Sequence, residues 1–294
     1  MSALFEAVPN FSEGRDLTLI DDLIAAAKAR GAHVLHHTSD PAHHRSVVTI
    51  AGTKNELVGA TVAMAAIAAQ RIDLCRHRGA HPRMGALDVL PFVPLRDATL
   101  EDAVSLAKQV AARIWYESAI PSILYGAAAS AEHRRDLALV RAGEFEGLAA
   151  KFADPRWAPD FGTPRPHPSA GAIAIGARAF LIAFNVDLAT PDITVAGRIA
   201  RSLRAKNGGL RTLKTLAFRL DDQRVQVSFN VTDYRATPLY RITELVRAAA
   251  GALGVRVLRT QLIGLAPLDA IVESACYYAG SVSPPPAIVF PPLS

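Results

Sequence analysis

The order in which hydrophobic periodicities change along the chain restricts the fold more than any other feature. A strand pattern from Leu4 to Pro9 gives way to a helical pattern from Leu17 to Arg30, in which apolar residues share one face. Two strand patterns, a second helical pattern and another strand pattern follow at Val34–Thr38, Ser46–Ala51, Leu57–Ile72 and Leu87–Pro94. The resulting order is β-α-β-β-α-β, which predicts a split βαβ sheet.

The same order returns in the second half of the chain. A helix at Leu100–Tyr116, a strand at Ile120–Tyr125 and one or two helices from Arg134 to Lys151 separate the two copies. The second copy is predicted at Phe180–Leu188, Ile193–Lys206, Leu213–Leu220, Val225–Val231, Leu239–Leu253 and Val255–Leu258. We therefore predict two α/β subdomains, residues 1–178 and residues 179–294, each a sheet with helices on one side. The halves are too dissimilar to count as a sequence repeat.

Two segments rich in proline interrupt this pattern. Asp154–Gly176 holds five prolines and three glycines, which predicts a long loop. Structureless connections of more than about 12 residues in a compact domain are functional sites or linkers, and both interpretations stay open at this point. Ser283–Ser294 also holds five prolines and is predicted to be a tail that is neither helix nor central strand.

The charge balance restricts the class of partner. The formal net charge is +5, and only 6% of the residues are aromatic. Because there is also no run of five like charges, we predict no nucleic-acid surface. Scattered arginines instead suit a small molecule that carries carboxylates, since a planar guanidinium pairs with a carboxylate through two hydrogen bonds.

Location follows from what the sequence lacks. No apolar run reaches the roughly 18 residues of a membrane span, so no membrane partner is expected. The first residues have neither the basic start nor the long apolar stretch of a secretory signal. Two cysteines, Cys75 and Cys276, do not make a disulfide framework. We therefore expect a cytoplasmic protein.

The densest group of polar residues and glycines lies between a predicted helix and a predicted strand, at residues 77–88. His77 and His81 have the spacing of two zinc ligands on a helix, but glycine and proline between and beside them break a helix and no Glu follows His77. An imidazole flanked by Arg78 and Arg83 is instead held neutral and can accept a proton. The alternative is a loop histidine with a structural role.

Two further segments carry polar residues. In residues 8–14, Ser12 is a candidate helix cap, and free backbone N–H groups there could hold an anion, although capping alone explains the pattern. Five of the nine histidines fall within twelve residues, from His33 to His44. His36 and His37 point to opposite faces of a predicted strand and no Cys or Glu accompanies them, so we expect no metal.

Several of these segments together resemble one family. The chain is similar to the glutamate formiminotransferases over nearly its whole length, with long motifs in the expected order. The motifs are VPNFSEG at Val8, HRGAHPRMGALDVLPFVP at His77, WAPDFG at Trp157, HPSAGAIAIGARAFLIAFNVDL at His167 and QVSFNVTDY at Gln226.

The resemblance implies an α+β fold of two ferredoxin-like (β-α-β-β-α-β) subdomains whose sheets face each other across a ligand tunnel. It implies transfer of a formimino group from N-formimino-L-glutamate to N5 of tetrahydrofolate, giving L-glutamate and 5-formiminotetrahydrofolate in histidine degradation. Tetrahydrofolate is then a co-substrate, no metal is needed, and we expect a homodimer. The chain stops where fused animal enzymes continue into a cyclodeaminase domain, so a stand-alone transferase is expected.

The resemblance also implies roles for individual residues. His81 matches the catalytic histidine, and one imidazole can take the proton from the attacking N5 and give one to the departing nitrogen. The folate loop matches Gly162, Thr163, Pro164, Arg165, Pro166, His167, Pro168, Ser169, Ala170 and Gly171. Candidate substrate-binding residues are Asn10, Arg45, Arg83, Asp88 and Arg178. For Asp88 the alternative is that it orients a histidine or an arginine, and for both Asn10 and Asp88 a structural role stays open.

One departure from the family affects the donor. Many relatives read SDPDHNRS where this chain reads SDPAHHRS from Ser39, so Ala42 and His44 replace an acid and an amide. Two alternatives therefore stay open, a formyl donor such as N-formylglutamate and a folate-binding protein without activity. A metal hydrolase built on the histidine cluster is a more distant third.

Overall fold

The computed structural model describes residues 2–41, 43–79 and 81–280. The proline-rich tail predicted at Ser283–Ser294 lies outside the described residues, as does Ala42. Contacts divide the chain into two units, Met1–Ala179 and Phe180–Ser294. None of the helices in the described part combines the length and the apolar character that a bilayer crossing requires.

The first unit is built on a seven-stranded sheet. Its strands are β1 (Leu4–Ala7), β2 (Asn10–Phe11), β3 (His33–Asp40), β4 (Arg45–Gly52), β5 (Leu87–Arg96), β6 (Ser122–Gly126) and β7 (Ile173–Ala177). Its helices are α1 (Leu17–Ala29), α2 (Lys54–Arg71), α3 (Leu100–Ser118), α4 (Leu137–Arg141) and α5 (Glu144–Phe152). Short 3₁₀ turns occur at Glu132–Arg134 and Pro155–Trp157.

Strand pairing divides this sheet into an antiparallel and a parallel part. β1 and β2 together form one interrupted strand that pairs antiparallel with both β4 and β5, and β3 pairs with β4 at the edge. β7 lies parallel between β5 and β6. Pro9 interrupts the first strand because proline has no N–H for the ladder. The predicted β-α-β-β-α-β order of the first segments is therefore confirmed.

The two faces of this sheet are covered differently. The large core, which includes Leu23, Met64 and Leu106, packs α1, α2 and α3 against one face. A smaller core that includes Ile123 and Phe152 packs α4 and α5 against the other face of the parallel part. The prediction of helices on one side is therefore wrong for this unit, because strands in parallel pairing are buried on both faces.

The second unit contains a four-stranded antiparallel sheet. Its elements are β8 (Ile182–Leu188), α6 (Ile193–Leu203), a 3₁₀ turn (Ala205–Asn207), β9 (Leu213–Arg219), β10 (Val225–Val231), α7 (Leu239–Gly251), β11 (Val257–Ile263) and α8 (Leu268–Tyr278). The strand order is β11-β8-β10-β9. The chain order β-α-β-β-α-β predicted for this half is confirmed, and the core includes Val186, Phe229 and Ile242.

Two predictions in the middle and at the end of the chain need correction. The loop predicted at Asp154–Gly176 extends too far, because the residues from Ile173 onward belong to the buried strand β7. The five-residue sequence Ile-Ala-Ile-Gly-Ala is too short and too apolar to show the alternation of apolar and polar residues that predicts a strand. The strand predicted at Val255–Leu258 is β11 at Val257–Ile263, and the helix α8 that follows was not predicted. Almost all of β11 is exposed, so it lacks the apolar alternation on which the prediction depended.

Candidate active site

The segment that follows His81 is fixed by backbone hydrogen bonds on both sides. Ser12 donates its backbone N–H to Ala86 O at 2.9 Å and its hydroxyl to Gly85 O at 2.7 Å. On the other side, Ala86 N donates to Ala170 O at 3.0 Å and Ala172 N donates to Met84 O at 3.0 Å. Three segments predicted separately from the sequence, at residues 8–14, 77–88 and 162–171, therefore meet at one place.

The fully buried carboxylate of Asp88 is the centre of a charged network. Its Oδ1 accepts from the backbone N–H groups of Met84 at 2.8 Å and Gly85 at 3.3 Å. Its Oδ2 accepts from Arg45 Nη1 at 2.7 Å and from Arg141 Nη1 at 3.4 Å. Because a buried charge is stable only when paired, Asp88 fixes the loop that carries His81 and binds two guanidinium groups at once.

Arg45, at the start of β4, is buried and held from two sides. Besides Asp88, it bonds Asn10 Oδ1 through Nη2 at 3.0 Å and Nε at 3.3 Å. The Asn10 amide in turn donates to Val8 O at 2.7 Å. Burial lowers the pKa of Arg45, and the charge of Asp88 opposes that shift. Asn10, Arg45 and Asp88, which the sequence proposed independently, therefore form one network in which Asn10 orients Arg45.

Two residues of this site were not found from the sequence. Arg141 ends the five-residue helix α4, and Tyr125 lies on β6 in the smaller core. Burial raises the pKa of Tyr125 to about 12, so its phenol stays protonated, and charges on Arg178, Arg141 and Asp88 also act on it. Arg141 is 53 positions from Asp88, so nothing in the local sequence around either residue shows their contact.

The half-buried ring of His81 has one nitrogen engaged and one open. Nδ1 lies 2.7 Å from Pro82 O, and since a carbonyl only accepts, Nδ1 carries the proton of the neutral ring. Burial, followed by the charge of Arg45 and that of Arg141, lowers the pKa of His81 to about 4. Nε2 makes no hydrogen bond to the described residues and therefore presents a lone pair at neutral pH.

His77, four positions earlier, has both ring nitrogens engaged. Nε2 donates to His44 O at 3.1 Å, and Nδ1 accepts from Arg83 Nε at 3.2 Å. The ring is buried and lies 4.4 Å from the ring of His44, measured between centroids. Burial lowers the pKa of His77. The ring therefore connects the loop to His44, directly before β4, and both of its nitrogens are already hydrogen-bonded.

Arg83 lies outside the Asp88 network. Its Nη1 and Nη2 bond Glu146 at 2.8 Å and 2.6 Å, and Nη1 also bonds Glu144 at 3.0 Å. These bonds lower the pKa of Glu146 to about 2. A cavity of about 540 Å³ is lined by these three residues together with His77, Arg78, Gly79 and Gly143. The two arginines and two glutamates that line this cavity balance in charge, unlike the two arginines and one carboxylate of the Asp88 network.

Arg178 directly follows β7. Its backbone N–H donates to Phe92 O at 3.0 Å and its Nη1 donates to Ala179 O at 3.2 Å. Burial raises the pKa of Glu6, and the charge of Arg178 opposes this shift. The charge of Arg178 therefore acts on the buried side chain of Glu6 on β1.

The segment that matches the folate loop closes on itself at its end. His167 and Gly171 exchange two backbone hydrogen bonds of 2.8 and 2.9 Å, and Ala170 N donates to His167 Nδ1 at 3.0 Å. Gly171 has φ +69°, and a Cβ there would lie 2.1 Å from Met84 O. Glycine is therefore required where this segment meets the His81 loop, whereas residues 162–165 are exposed and accessible to a ligand.

The candidate anion site at residues 8–14 is filled by the protein itself. Glu13 Oε1 accepts from the backbone N–H groups of Gly14, Arg15 and Asp16 at 2.6–3.0 Å. Asp16, not Ser12, caps α1 by accepting from Leu19 N at 3.0 Å. The predicted cap is therefore wrong, because four residues separate Ser12 from the first residue of the helix and its hydroxyl bonds Gly85.

The five histidines from His33 to His44, in β3 and in the turn that follows it, have different environments. His33, His36 and His37 are exposed along the edge strand, whereas His44 Nδ1 accepts from Gly14 N at 3.1 Å and lies 3.3 Å from Glu13 Oε1. His43 bonds Asp40 at 2.8 Å and its ring is 6.4 Å from that of His81. Within the described ranges, no group of three or more His, Cys, Asp or Glu side chains is placed to hold a metal ion.

Comparison with known proteins gives family matches over both units. Residues 4–178 match the family model described as the formiminotransferase domain, N-terminal subdomain. Residues 183–283 match the model described as the formiminotransferase domain.

Characterised relatives align over almost the whole chain. A glutamate formimidoyltransferase of Thermoplasma acidophilum is 45% identical over 94% of this chain and 92% of its own length. A glutamate formimidoyltransferase of Streptococcus pyogenes is 42% identical over 95% of this chain and 94% of its own length. A formimidoyltransferase-cyclodeaminase of Sus scrofa is 40% identical over 95% of this chain but only 53% of its own length.

Proposed function

The chain belongs to the formiminotransferase family, and from this membership and the geometry around His81 we infer that it transfers a formimino group from N-formimino-L-glutamate to N5 of tetrahydrofolate. The products are L-glutamate and 5-formiminotetrahydrofolate. Tetrahydrofolate is the co-substrate. The observation that carries the proposal is the open Nε2 lone pair of His81 beside a network with two arginines and one carboxylate.

The transfer needs a proton carrier more than it needs a strong nucleophile. N5 attacks the formimino carbon, and a C–N bond forms while the amidine C=N becomes a single bond. His81 Nε2 takes the proton that N5 loses. The imidazolium then gives this proton to the glutamate nitrogen, the C–N bond to glutamate breaks as the C=N double bond re-forms, and neutral His81 is regenerated.

The charge of the site supports both the substrate class and the role of His81. One carboxylate, Asp88, pairs with both Arg45 and Arg141, so this network carries a net positive charge. Both substrates carry carboxylates, which this charge attracts. The same charge keeps the free imidazole neutral and ready to accept a proton. A negatively charged substrate that binds here raises the pKa of His81 toward the range useful for proton transfer.

The exposed part of the folate loop, residues 162–165, is proposed to contact tetrahydrofolate together with the turn that ends at Gly171. Backbone hydrogen bonds from Ala86 N to Ala170 O and from Ala172 N to Met84 O support this role, because they join the end of the loop to the segment that carries His81. Asn10, Arg45 and Asp88 are proposed to organise the site, and Arg83 and Arg178 remain proposed substrate-binding residues.

Finer features of the fold belong to this proposal as well. We propose that each unit has a ferredoxin-like core, supported in the second unit by the antiparallel strand order β11-β8-β10-β9. Subdomains of residues 1–178 and 179–294, facing sheets with a ligand tunnel, a homodimer and a cytoplasmic location remain expectations from the sequence and its resemblance.

A two-donor assay tests the function. The protein is incubated with tetrahydrofolate and either N-formimino-L-glutamate or N-formyl-L-glutamate, and acid treatment converts the products to the absorbing 5,10-methenyl form. We expect product from the formimino donor at a higher kcat/KM than from the formyl donor. A preference for the formyl donor would reassign the substrate, and tight folate binding without product from either donor would favour a binding protein.

A further inference from the structure

Arg141 has an unsatisfied hydrogen-bond donor beside the catalytic loop. Its Nε is buried and has no partner among the residues that the structure describes. Its Nη1 makes a long hydrogen bond of 3.4 Å to Asp88 Oδ2, an oxygen that Arg45 already binds at 2.7 Å. A buried donor without an acceptor is costly, so such a group in a native fold requires an explanation.

The other arginines near the site have acceptors. All three guanidinium nitrogens of Arg45 bond Asn10 or Asp88. All three of Arg83 bond His77, Glu144 or Glu146. Arg141 therefore differs from both, because its Nε lacks the acceptor that a bound ligand would supply.

Arg141 is also close to the reacting group. Its charge acts directly on His81, together with the charges of Arg45 and Asp88. In N-formimino-L-glutamate, only the nitrogen and the α-carbon separate the formimino carbon from the α-carboxylate, whereas the γ-carboxylate is two methylene groups further away. A cation beside the proton carrier is therefore placed for the α-carboxylate rather than the γ-carboxylate.

We propose that Arg141 binds the α-carboxylate of the formimino donor through its Nε–H and thereby holds the formimino carbon next to His81. This inference rests on the proposed function. The bound carboxylate supplies the missing acceptor and balances the excess positive charge of the Arg45, Asp88 and Arg141 group. Donor binding at Arg141 then also raises the proton affinity of His81 when a base is needed.

Donor analogues separate this role from a structural one. The wild-type protein, Arg141→Gln and Arg141→Lys are assayed with N-formimino-L-glutamate, with its α-carboxamide analogue and with its γ-carboxamide analogue. We expect the wild type to prefer the α-carboxylate over the α-carboxamide by about 10- to 100-fold in kcat/KM, the size of a charge-assisted hydrogen bond. Arg141→Gln should reduce that preference to near one and leave the preference for the γ-carboxylate unchanged.

The control is Arg135→Gln, since Arg135 is exposed and pairs with Glu132. It should keep every preference. If Arg141→Gln lowers activity on all donors equally and preserves the α preference, Arg141 acts only through Asp88 and the proposal is overturned. Arg141→Lys keeps the charge but lacks the Nε–H of arginine, and it serves as the test if Arg141→Gln does not fold. An unchanged preference of Arg141→Lys for the α-carboxylate then overturns the proposal, and a reduced preference supports it.

A binding measurement distinguishes failure of this inference from failure of the proposed function. Calorimetry compares L-glutamate with its α-carboxamide for the wild type and Arg141→Gln, without turnover. A wild-type protein that makes no product overturns the proposed function, whereas equal L-glutamate affinity in wild type and Arg141→Gln overturns this inference. If Arg141→Gln binds L-glutamate more weakly than the wild type does, this inference is supported whether or not the wild type makes product.

Discussion

His77 and His81 lie four positions apart on one loop, yet their surroundings give them different tasks. Both rings have a lowered pKa and are neutral at pH 7, with burial as the main cause. His77 has a partner at each ring nitrogen, whereas His81 uses only Nδ1, toward Pro82 O. A lowered pKa alone therefore does not identify the catalytic residue. The proposed proton carrier differs from His77 in having a free lone pair beside unbalanced positive charge.

The largest effect should come from His81→Ala. Removing the proton carrier should lower kcat by about two to four orders of magnitude, the usual range for general acid–base catalysis. Tetrahydrofolate affinity should change little, because Nε2 contributes no bond to the protein. The rate is measured as 5,10-methenyl absorbance after acid treatment, and affinity by calorimetry.

His133→Ala is the matched control, since His133 is exposed, hydrogen-bonds Arg156 O at 3.0 Å and lies with its ring 4.8 Å from that of Trp157. It should retain full activity. Wild-type turnover in His81→Ala would remove the distinction between the two loop histidines and refute the proton-carrier role.

His77→Ala should mainly affect stability. The substitution removes the acceptor of Arg83 Nε and the donor to His44 O, and it leaves a cavity in the loop. We expect the free energy of unfolding to fall by about 1–3 kcal/mol, with kcat of the folded protein reduced less than tenfold. Urea unfolding and activity at low temperature measure the two effects. A loss of kcat as large as in His81→Ala, with unchanged stability, would reverse the assignments.

The smallest expected effect is a difference in titration when substrate binds. In the free protein the His81 ring should titrate near pH 4, below the ordinary value of 6.5. N-formimino-L-glutamate should raise the pKa of His81 and leave that of His77 nearly unchanged, since His77 has no open side toward the ligand. NMR titration of the ring protons, assigned with His81→Gln, tests this. A midpoint near 6.5 without ligand would contradict it.

The same lowered pKa affects folding. Between about pH 4 and 6.5 the unfolded chain binds a proton at residue 81 that the folded chain does not. The free energy of unfolding should therefore decrease as the pH falls through this window. Urea unfolding of the wild type and His81→Gln at pH 7 and pH 5 should show a smaller pH dependence in the variant.

Much of the fold was predictable because burial leaves a local trace. Both β-α-β-β-α-β orders appear in the spacing of apolar residues, for example the buried face of α1 at Leu19, Leu23 and Ala27. The prediction failed where that trace is weak. β7 is buried on both faces and lacks alternation, and β11 is exposed on both faces and lacks it too.

Much of the site was also visible in the sequence, through motif segments rather than contacts. Asn10, Arg45, His81 and Asp88 came from three separate segments, and the structure brings them together. Arg141 and Tyr125 were missed because neither stands in a motif that suggests chemistry. Arg83 was grouped with Arg45 as a carboxylate partner, but in the structure it is already paired with Glu144 and Glu146.

The amino-acid sequence alone determined the order of most helices and strands, the family resemblance and the choice of His81 as a candidate, because each of these is recorded in neighbouring residues. The tertiary structure decided which guanidinium has an open donor and which imidazole has an open lone pair. Hydrogen bonds act over about 3 Å, and several of the contacts that distinguish these groups join residues 33 to 63 positions apart, such as His77 with His44, Arg141 with Asp88 and Arg83 with Glu146. Only folding brings them within that range.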